Sequence, residues 1–207
     1  MPKVHEEMGP TKILVIAAHP TMEQSRVNKR WLAELHGGPN QVTVQELYKA
    51  YPDYAINARA EQELIAQHDR IVLQFPIQWY STPALLKQWL DDVFTTAWLF
   101  GAGGKAVAGK ELVLAMSIGG DEASYQSGGL IGYTISELVR PLQAFANQIG
   151  MTFLPPYKFY GAVKASDGQI DNSARDYLGH ITSSGLNPLI VRQRMLDEMM
   201  KQGSNPL

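Results

Sequence analysis

The chain has 207 residues, with 18 Lys and Arg against 20 Asp and Glu, and only 18% of its residues are charged. This balance excludes the basic surface of a nucleic-acid-binding protein, and the absence of cysteine excludes disulfides, thiolate metal sites and a cysteine nucleophile. We expect one domain over 1–207, with a flexible extension at 1–10, a C-terminal tail at 187–207 and no metal site. With no secretory signal and no apolar run near the roughly 20 residues of a membrane helix, a cytoplasmic protein is expected.

The first half of the chain alternates strand-like and helix-like segments. The continuous apolar run Lys12–Ala18 predicts a strand buried on both faces, and a helix is predicted over about Arg26–His36. The alternating segment Gln41–Leu47 predicts a half-exposed strand near a sheet edge, which a tyrosine-rich connection follows. A second helix over about Ala60–His68 leads into a third strand, Arg70–Phe75.

The second half continues the same alternation. Pro83 suits the first residue of a third helix, and Glu111–Ser117 predicts a fourth strand. A helix is predicted over Pro141–Gly150, and a short fifth strand near Met151–Leu154 is broken by Pro155-Pro156. The remaining segments are predicted as extended chain near Lys158–Gly161, a helix over Ser173–Ser183, and an amphipathic helical tail over Pro188–Lys201 that packs on a second subunit.

Strands that alternate with helices indicate an α/β fold with a parallel sheet covered on both faces. Five strands are too few for an eight-stranded barrel, so we predict a flavodoxin-like doubly wound five-stranded parallel sheet with strand order 2-1-3-4-5. Such sheets bind ligands beyond the carboxyl ends of their strands, at the point where the strand order reverses. The loops expected to carry function are therefore 19–25, 76–82 and 118–132.

Motifs of other enzyme classes are misplaced or absent. Gly104–Glu111 fits G-x-x-x-x-G-K and Gly101–Ala106 fits G-x-G-x-x-A, but both precede a strand, whereas each motif must follow one. We interpret this segment as a flexible glycine loop. The sequence has no G-x-S-x-G element for a hydrolase, and no acidic cluster follows the first strand, as a receiver domain would need.

The loop after the first strand opens a helix near Ser25. A helix start presents unpaired backbone N–H groups and the positive end of its dipole, which suit a phosphate. Two interpretations of Ser25 remain open, because its hydroxyl could cap the helix or donate to a bound anion. Arg26 would add positive charge to such an anion site.

The loops after the third and fourth strands carry aromatic and glycine residues. Trp79 and Tyr80 stand between two prolines, where they either cover the sheet end as core residues or form a platform for a planar ligand. Gly119 and Gly120 allow a backbone to approach a ligand closely. Phosphate, platform and edge-donor features in three neighbouring loops together predict a ligand like flavin mononucleotide.

Three segments carry a family resemblance: HP…SRVNK after the first strand, FPIQWYSTPALLKQWLDDVF across the third strand and helix, and SIGGDEASY after the fourth strand. Over about residues 12–156 the chain resembles the NAD(P)H:quinone oxidoreductase family of flavodoxin-like flavoproteins. It resembles above all the short bacterial members, including the ancillary flavoprotein of glutathione-gated potassium efflux systems. The resemblance implies a homodimer with FMN as cofactor (FAD is the alternative), in which NAD(P)H is the co-substrate and quinones are reduced by a ping-pong hydride transfer through flavin N5.

The resemblance also implies roles for particular residues. Tyr125 would be the catalytic hydrogen-bond donor to the quinone oxygen, and Ile131 stands where the animal enzymes carry a histidine, so no Tyr–His relay is expected. The implied cofactor-binding residues are His19, Ser25, Arg26, Val27 and Asn28 for the phosphate and ribityl end, Ile77, Gln78, Trp79 and Tyr80 for the isoalloxazine ring, and Ser117, Ile118, Gly119 and Gly120 for the pyrimidine edge.

Two other functions remain open from the sequence. A regulatory flavin-binding subunit that makes a peripheral contact with a membrane potassium efflux transporter would bind FMN without oxidising NAD(P)H. A one-electron carrier of the flavodoxin type is the third interpretation. Such carriers dock through strongly acidic surfaces, and the formal net charge of −2 provides little of that surface.

Overall fold

The computed structural model describes residues 11–101 and 107–201. The predicted N-terminal extension, residues 1–10, and most of the predicted glycine loop, residues 102–106, therefore lie outside the described residues, as do residues 202–207 of the tail. The strands are β1 (Ile13–Ala17), β2 (Val42–Glu46), β3 (Arg70–Pro76), β4 (Glu111–Ser117), β5 (Thr152–Phe153) and β6 (Tyr157–Phe159). The helices are α1 (Val27–His36), α2 (Leu47–Ala50), α3 (Ala58–Ala66), α4 (Ala84–Val93), α5 (Thr96–Phe100), α6 (Ile135–Leu138), α7 (Arg140–Gln148), α8 (Asp167–Thr182) and α9 (Pro188–Lys201), with 3-10 turns at Met22–Gln24 and Glu122–Tyr125.

All strand pairings in the sheet are parallel, and the order β2-β1-β3-β4-β5 confirms the predicted topology. The fifth position is divided, because β5 and β6 both pair with β4 at different points along its length. Pro155 and Pro156 separate the two segments, since a proline cannot donate to a ladder hydrogen bond. The described sheet therefore has six strands, of which two share the predicted fifth place.

Two apolar layers cover the sheet. Alternate residues of β1, β3 and β4 face opposite sides, so Leu14 and Leu73 pack with α4 and α7, whereas Val15 and Val72 pack with α1 and α8. β1 is buried along its whole length, which is why its sequence shows a continuous rather than an alternating apolar run. None of the helices in residues 11–101 and 107–201 is long and apolar enough to cross a membrane.

Several boundaries differ from the prediction. The tyrosine-rich connection contains the short helix α2, and α8 begins at Asp167 rather than at Ser173. The earlier start of α8 is fixed by a capping box, in which the Ser166 hydroxyl and the Gln169 side chain satisfy each other's backbone N–H groups. The short helices α5 and α6 were not predicted, because each is only one turn long and carries no periodic apolar pattern.

A buried ion pair joins the sheet to the C-terminal segment. The Arg70 guanidinium is 2.7 Å from the Glu111 carboxylate, and Arg70 also donates to the carbonyl oxygens of Ile181 and Ser183 at the end of α8. The Asn187 Nδ2 donates to the same carboxylate at 2.9 Å, and its Oδ1 caps the start of α9. These contacts fix the chain between α8 and α9 against the amino ends of β3 and β4.

Candidate active site

Three buried polar side chains meet at the carboxyl end of the sheet. The Asn28 Nδ2 at the start of α1 donates to Ser117 Oγ at the end of β4, at 2.9 Å. Gln74 Nε2 on β3 lies 3.3 Å from the Asn28 carbonyl oxygen, whereas Gln74 Oε1 has no hydrogen-bond partner in the described chain. Asn28 and Gln74 are each 1% exposed. The cluster holds α1, β3 and β4 together, and with them the end of the predicted loop 19–25 and the starts of the loops 76–82 and 118–132.

The start of α1 has the features of an anion site. Ser25 has an extended conformation, and its Oγ accepts the Asn28 N–H at 3.0 Å, so it caps the helix and its hydroxyl hydrogen remains able to donate. The N–H groups of Arg26 and Val27 donate to no acceptor within the described residues. The Arg26 side chain turns to the start of α8, where it binds the Ala165 carbonyl oxygen and the Asp167 carboxylate. Cap and donor are therefore compatible roles for Ser25.

His19 follows β1 and is a neutral side chain. Its Nδ1 accepts the Thr21 N–H at 3.1 Å, which assigns the ring proton to Nε2. Burial lowers the pKa of His19 below its usual value, so the ring stays uncharged at neutral pH. It lines a cavity of about 340 Å³ with Tyr48 and Lys49, which none of the other predicted site residues line. His19 therefore presents a neutral ring N–H donor on the loop that leads to Ser25.

Trp79 and Tyr80 form the two central positions of a tight turn. Gln78 and Ser81 exchange two backbone hydrogen bonds of 3.0 Å, and φ is 44° at Trp79 and 66° at Tyr80. Positive φ at both positions is the pattern of a type I′ turn, which normally takes glycine or asparagine. The Trp79 side chain is 91% exposed, so the interpretation of these residues as core aromatics is wrong. Strained backbone that holds exposed rings is typical of functional sites.

The loop after β4 lies next to a buried tyrosine. A Cβ atom added to Gly120 would stand 3.1 Å from Tyr125 Cε2, so the ring packs closely under the loop backbone. Burial, followed by the charge of Tyr80, raises the pKa of Tyr125, and its phenol therefore remains a hydrogen-bond donor at neutral pH. The N–H groups of Gly119 and Gly120 have no acceptor within the described residues.

The remaining predicted residues connect these loops. The Ile77 N–H donates to the Ser117 carbonyl oxygen at 2.9 Å, which ties the turn to β4. The Ile118 N–H donates to the carbonyl oxygen of Phe159 on β6, at 2.9 Å. The N–H groups of Trp79 and Tyr80 at the turn have no acceptor in the described part of the chain. The unpaired donors thus lie at the start of α1, directly after the loop 19–25, and in the other two predicted loops.

An apolar cavity of about 460 Å³ begins beside the turn and was not predicted from the sequence. Phe75, Ile77 and Ser81 form its end at the sheet, and it continues between α4, α5 and α7. Its walls are mostly aliphatic and aromatic, and they include Leu90, Phe94, Leu99, Phe100, Leu142 and Phe145. A planar aromatic molecule or an apolar surface of another subunit is the chemical match for such walls.

Sequence reasoning also missed Gln74 and the chain behind the glycine loop. Gln74 is the one polar residue within the apolar stretch Ile71–Phe75, and that interruption was the available signal. The Gly161 N–H donates to the Gly120 carbonyl oxygen at 2.8 Å, and the ring of Tyr160 lies 6.1 Å from that of Tyr125. These contacts come from residues that are distant in sequence from the loop after β4, so no local sequence pattern indicates them.

A family model described as "Flavodoxin-like fold" matches residues 11–181. The chain belongs to this family. The flavodoxin-like relatives include a Bacillus subtilis (strain 168) protein named "Uncharacterized NAD(P)H oxidoreductase YdeQ", which is 48% identical over 192 residues, or 93% of this chain and 97% of that protein. The "Glutathione-regulated potassium-efflux system ancillary protein KefF" of Enterobacter sp. (strain 638) is 42% identical over 165 residues, or 80% of this chain and 92% of the relative.

Solved structures of flavodoxin-like relatives agree with the fold. General stress protein 14 of Treponema denticola, crystallised in complex with FMN, is 42% identical with a TM-score of 0.77, over 81% of this chain and 96% of the other. A protein from P. pentosaceus described as an NADPH-quinone reductase is 34% identical with a TM-score of 0.75, over 84% of this chain and 99% of the other. The predicted family resemblance, fold and oxidoreductase class are confirmed.

Proposed function

We propose that this flavodoxin-like protein is an FMN-dependent enzyme that transfers two electrons from NAD(P)H to quinones or similar acceptors. The observation that carries the proposal is a set of N–H groups, unpaired among the described residues, at the start of α1, in the strained and exposed aromatic turn after β3, and in the glycine pair after β4. The FMN bound to the Treponema denticola relative and the description of the P. pentosaceus relative as an NADPH-quinone reductase support the same assignment.

The residues present fit the parts of FMN. The N–H groups of Arg26 and Val27 and the Ser25 hydroxyl would hold the phosphate at the start of α1, where the helix dipole also favours an anion. His19 would add a neutral Nε2–H donor, and Asn28 would fix the helix start through its bond to Ser117.

The ring system of FMN would lie over the other two loops. The segment Ile77–Tyr80 would line the isoalloxazine ring, since the exposed aromatic rings form a platform and the N–H groups of Trp79 and Tyr80 have no acceptor among the described residues. The segment Ser117–Gly120 would face the pyrimidine edge, where two unpaired N–H donors favour the negative charge that collects on reduction.

When bound, FMN supplies the two-electron chemistry, taking hydride equivalents from NAD(P)H and passing them to the acceptor. One shared substrate position requires the oxidised nucleotide to leave before the quinone enters, so the kinetics would be ping-pong. The Tyr125 phenol, kept protonated by burial, would donate a hydrogen bond to the quinone oxygen. The cavity beside the turn supports apolar contact with the acceptor or with a second subunit of a homodimer.

The decisive experiment combines a spectrum with initial rates. Purified protein should show flavin absorbance, and mass spectrometry should identify the released flavin as FMN. Initial rates with NAD(P)H and a quinone should give parallel double-reciprocal lines. Intersecting lines would contradict the shared position.

The role of Tyr125 is tested separately. Tyr125→Phe should lower turnover while FMN stays bound. The matched control is Tyr133→Phe, which changes a 60% exposed tyrosine in the same loop.

A regulatory function is the second candidate, because the KefF relative is named as an ancillary protein of a potassium-efflux system. In that case the chain would bind FMN and make a peripheral contact with a membrane transporter. If purified protein binds FMN but does not oxidise NAD(P)H in the presence of any quinone in a tested panel, the regulatory function is favoured over the enzymatic one. A stable blue semiquinone on photoreduction would instead indicate a one-electron carrier.

A further inference from the structure

Gln74 is a polar side chain in an otherwise apolar part of the sheet. It lies two residues after Val72 on β3 and therefore on the same face, which α1 covers. The residues level with it on the neighbouring strands are Ala17 on β1 and Ala115 on β4. Methyl groups cannot donate a hydrogen bond, so only α1 and the carboxyl edge of the sheet can supply a partner for the Gln74 amide.

The orientation of this amide follows from its neighbour on α1. Its nitrogen Nε2 lies 3.3 Å from the Asn28 carbonyl oxygen and 3.5 Å from Asn28 Oδ1, both of which are acceptors. The opposite orientation would set oxygen against oxygen, so the Gln74 Oε1 must face away from Asn28. Gln74 is 1% exposed, and its Oε1 has no donor in the described part of the chain. A ligand or a buried water is the usual partner of such an atom.

The hydrogen bonds of Asn28 form a directed chain across the carboxyl end of the sheet. Gln74 donates to Asn28, and Asn28 Nδ2 donates to Ser117 Oγ at 2.9 Å. The Ser117 hydroxyl hydrogen has no acceptor within residues 11–101 and 107–201. The chain of bonds therefore ends in an open acceptor at Gln74 and an open donor at Ser117. A ligand hydroxyl group, which both donates and accepts, is complementary to these ends.

This chain of bonds lies between the two ends of the proposed FMN site. Asn28 belongs to the first turn of α1, next to the N–H groups of Arg26 and Val27, where the phosphate would bind. Ser117 leads into the loop with Gly119, where the pyrimidine edge would lie. In FMN a ribityl chain with a hydroxyl group on each of its middle carbons joins the phosphate to the ring system. The ribityl chain would therefore cross the gap that the bonds of Asn28 span.

We propose that Gln74 is a further FMN-binding residue, whose Oε1 accepts a hydrogen bond from a ribityl hydroxyl. The inference rests on the FMN site proposed above and adds a contact to the middle of the cofactor. A flavin that lacks this hydroxyl would leave the buried oxygen of Gln74 unpaired. The site would then distinguish a ribityl chain from a deoxy chain, since a buried polar group rejects an analogue that cannot pair with it.

The affinity of the FMN-free protein for FMN tests this contact. Gln74→Met keeps the length of the side chain and removes the acceptor. In a titration followed by flavin fluorescence, this variant should have a dissociation constant about 10-fold higher than that of the unchanged protein. The matched control is Tyr177→Phe, because Tyr177 Oη is also buried without a partner in the described chain. It lies in the core beside Trp31 and Tyr157, so its loss should change the dissociation constant by less than about twofold.

Deoxy analogues of FMN separate the contact from packing. In the unchanged protein, one of 2′-, 3′- and 4′-deoxy-FMN should bind about 10-fold more weakly than FMN, whereas Gln74→Met should bind this analogue and FMN equally, because the hydrogen bond is already lost. An unchanged affinity of Gln74→Met for FMN would overturn the proposal and assign a water to the oxygen. Weakening of FMN and all three analogues by one factor would also overturn it, since altered packing has that effect. Both results leave the proposed function intact, whereas an unchanged protein that binds no FMN would overturn the function and this contact together.

Discussion

The strained turn at Trp79 offers a prediction in which stability and activity change in opposite directions. A non-glycine residue in the left-handed region costs about 1 kcal/mol, and asparagine tolerates that region better than most residues. The Trp79 ring is 91% exposed, so removing it loses about a tenth of the roughly 3 kcal/mol that full burial would provide. Trp79→Asn should therefore stabilise the cofactor-free protein by about 0.7 kcal/mol, which corresponds to about 2 °C in Tm for a chain of this size.

The matched control is Trp79→Ala, which loses the same ring but keeps the backbone strain. Urea unfolding followed by circular dichroism should give the asparagine variant a free energy of unfolding about 1 kcal/mol higher than that of the alanine variant, since asparagine tolerates a positive φ and alanine does not. Both variants should lose FMN affinity and turnover by a similar factor. If the asparagine variant is no more stable than the alanine variant, the strain argument is wrong. If both lose more than about 1 kcal/mol, the ring packs against the protein.

Three further predictions follow from contacts elsewhere in the chain. Arg70→Met should lower the free energy of unfolding, measured in urea, by about 3–5 kcal/mol, because it leaves the mostly buried Glu111 carboxylate without its cation; a loss below 1 kcal/mol would contradict this. Gly129→Ala should lower the free energy of unfolding by about 2 kcal/mol, since the added Cβ would stand 2.3 Å from the Ala123 carbonyl oxygen. Gly179→Ala in α8 meets nothing within 4 Å and should raise the free energy of unfolding by about 1 kcal/mol. Urea unfolding of both variants checks this pair, and a change of the same sign in both would refute it. Burial, and then the charge of a nearby aspartate, raises the pKa of Tyr157 to about 12, above its value in the unfolded chain. The contribution of Tyr157 to stability should therefore be intact below about pH 10 and lost as pH rises towards 12. In urea unfolding measured across this pH range, Tyr157→Phe should lose less stability with rising pH than the unchanged protein does.

The central strands could be predicted from sequence because a strand buried on both faces needs a continuous apolar run. The observed β1 and β3 lie within one residue of the predicted Lys12–Ala18 and Arg70–Phe75 at each end, and β4 coincides with its prediction. The divided fifth position could be anticipated from Pro155-Pro156, but the register of β6 on β4 depends on long-range pairing that no local pattern carries.

The candidate site was predictable only in part. The loops follow from the topology, because carboxyl ends of parallel strands share one edge. The turn at Trp79 and Tyr80 could not be predicted, since a type I′ turn is recognised in a sequence by glycine or asparagine. Here the flanking elements β3 and α4 impose that conformation on two aromatic residues. The Arg26 side chain was expected near a phosphate and instead binds Asp167, which lies 141 positions further along the chain.

The buried oxygen of Gln74, which has no donor among the described residues, lowers the stability of the ligand-free fold. A buried amide oxygen without a donor destabilises the chain by about 1–3 kcal/mol, and the unpaired N–H groups of the loops above it add to this deficit wherever water reaches them poorly. Any ligand that binds only the folded state raises its stability in proportion to the logarithm of ligand concentration. Cells short of flavin would therefore hold a chain that unfolds more often and is degraded sooner, so its abundance would report on flavin availability without any dedicated regulator.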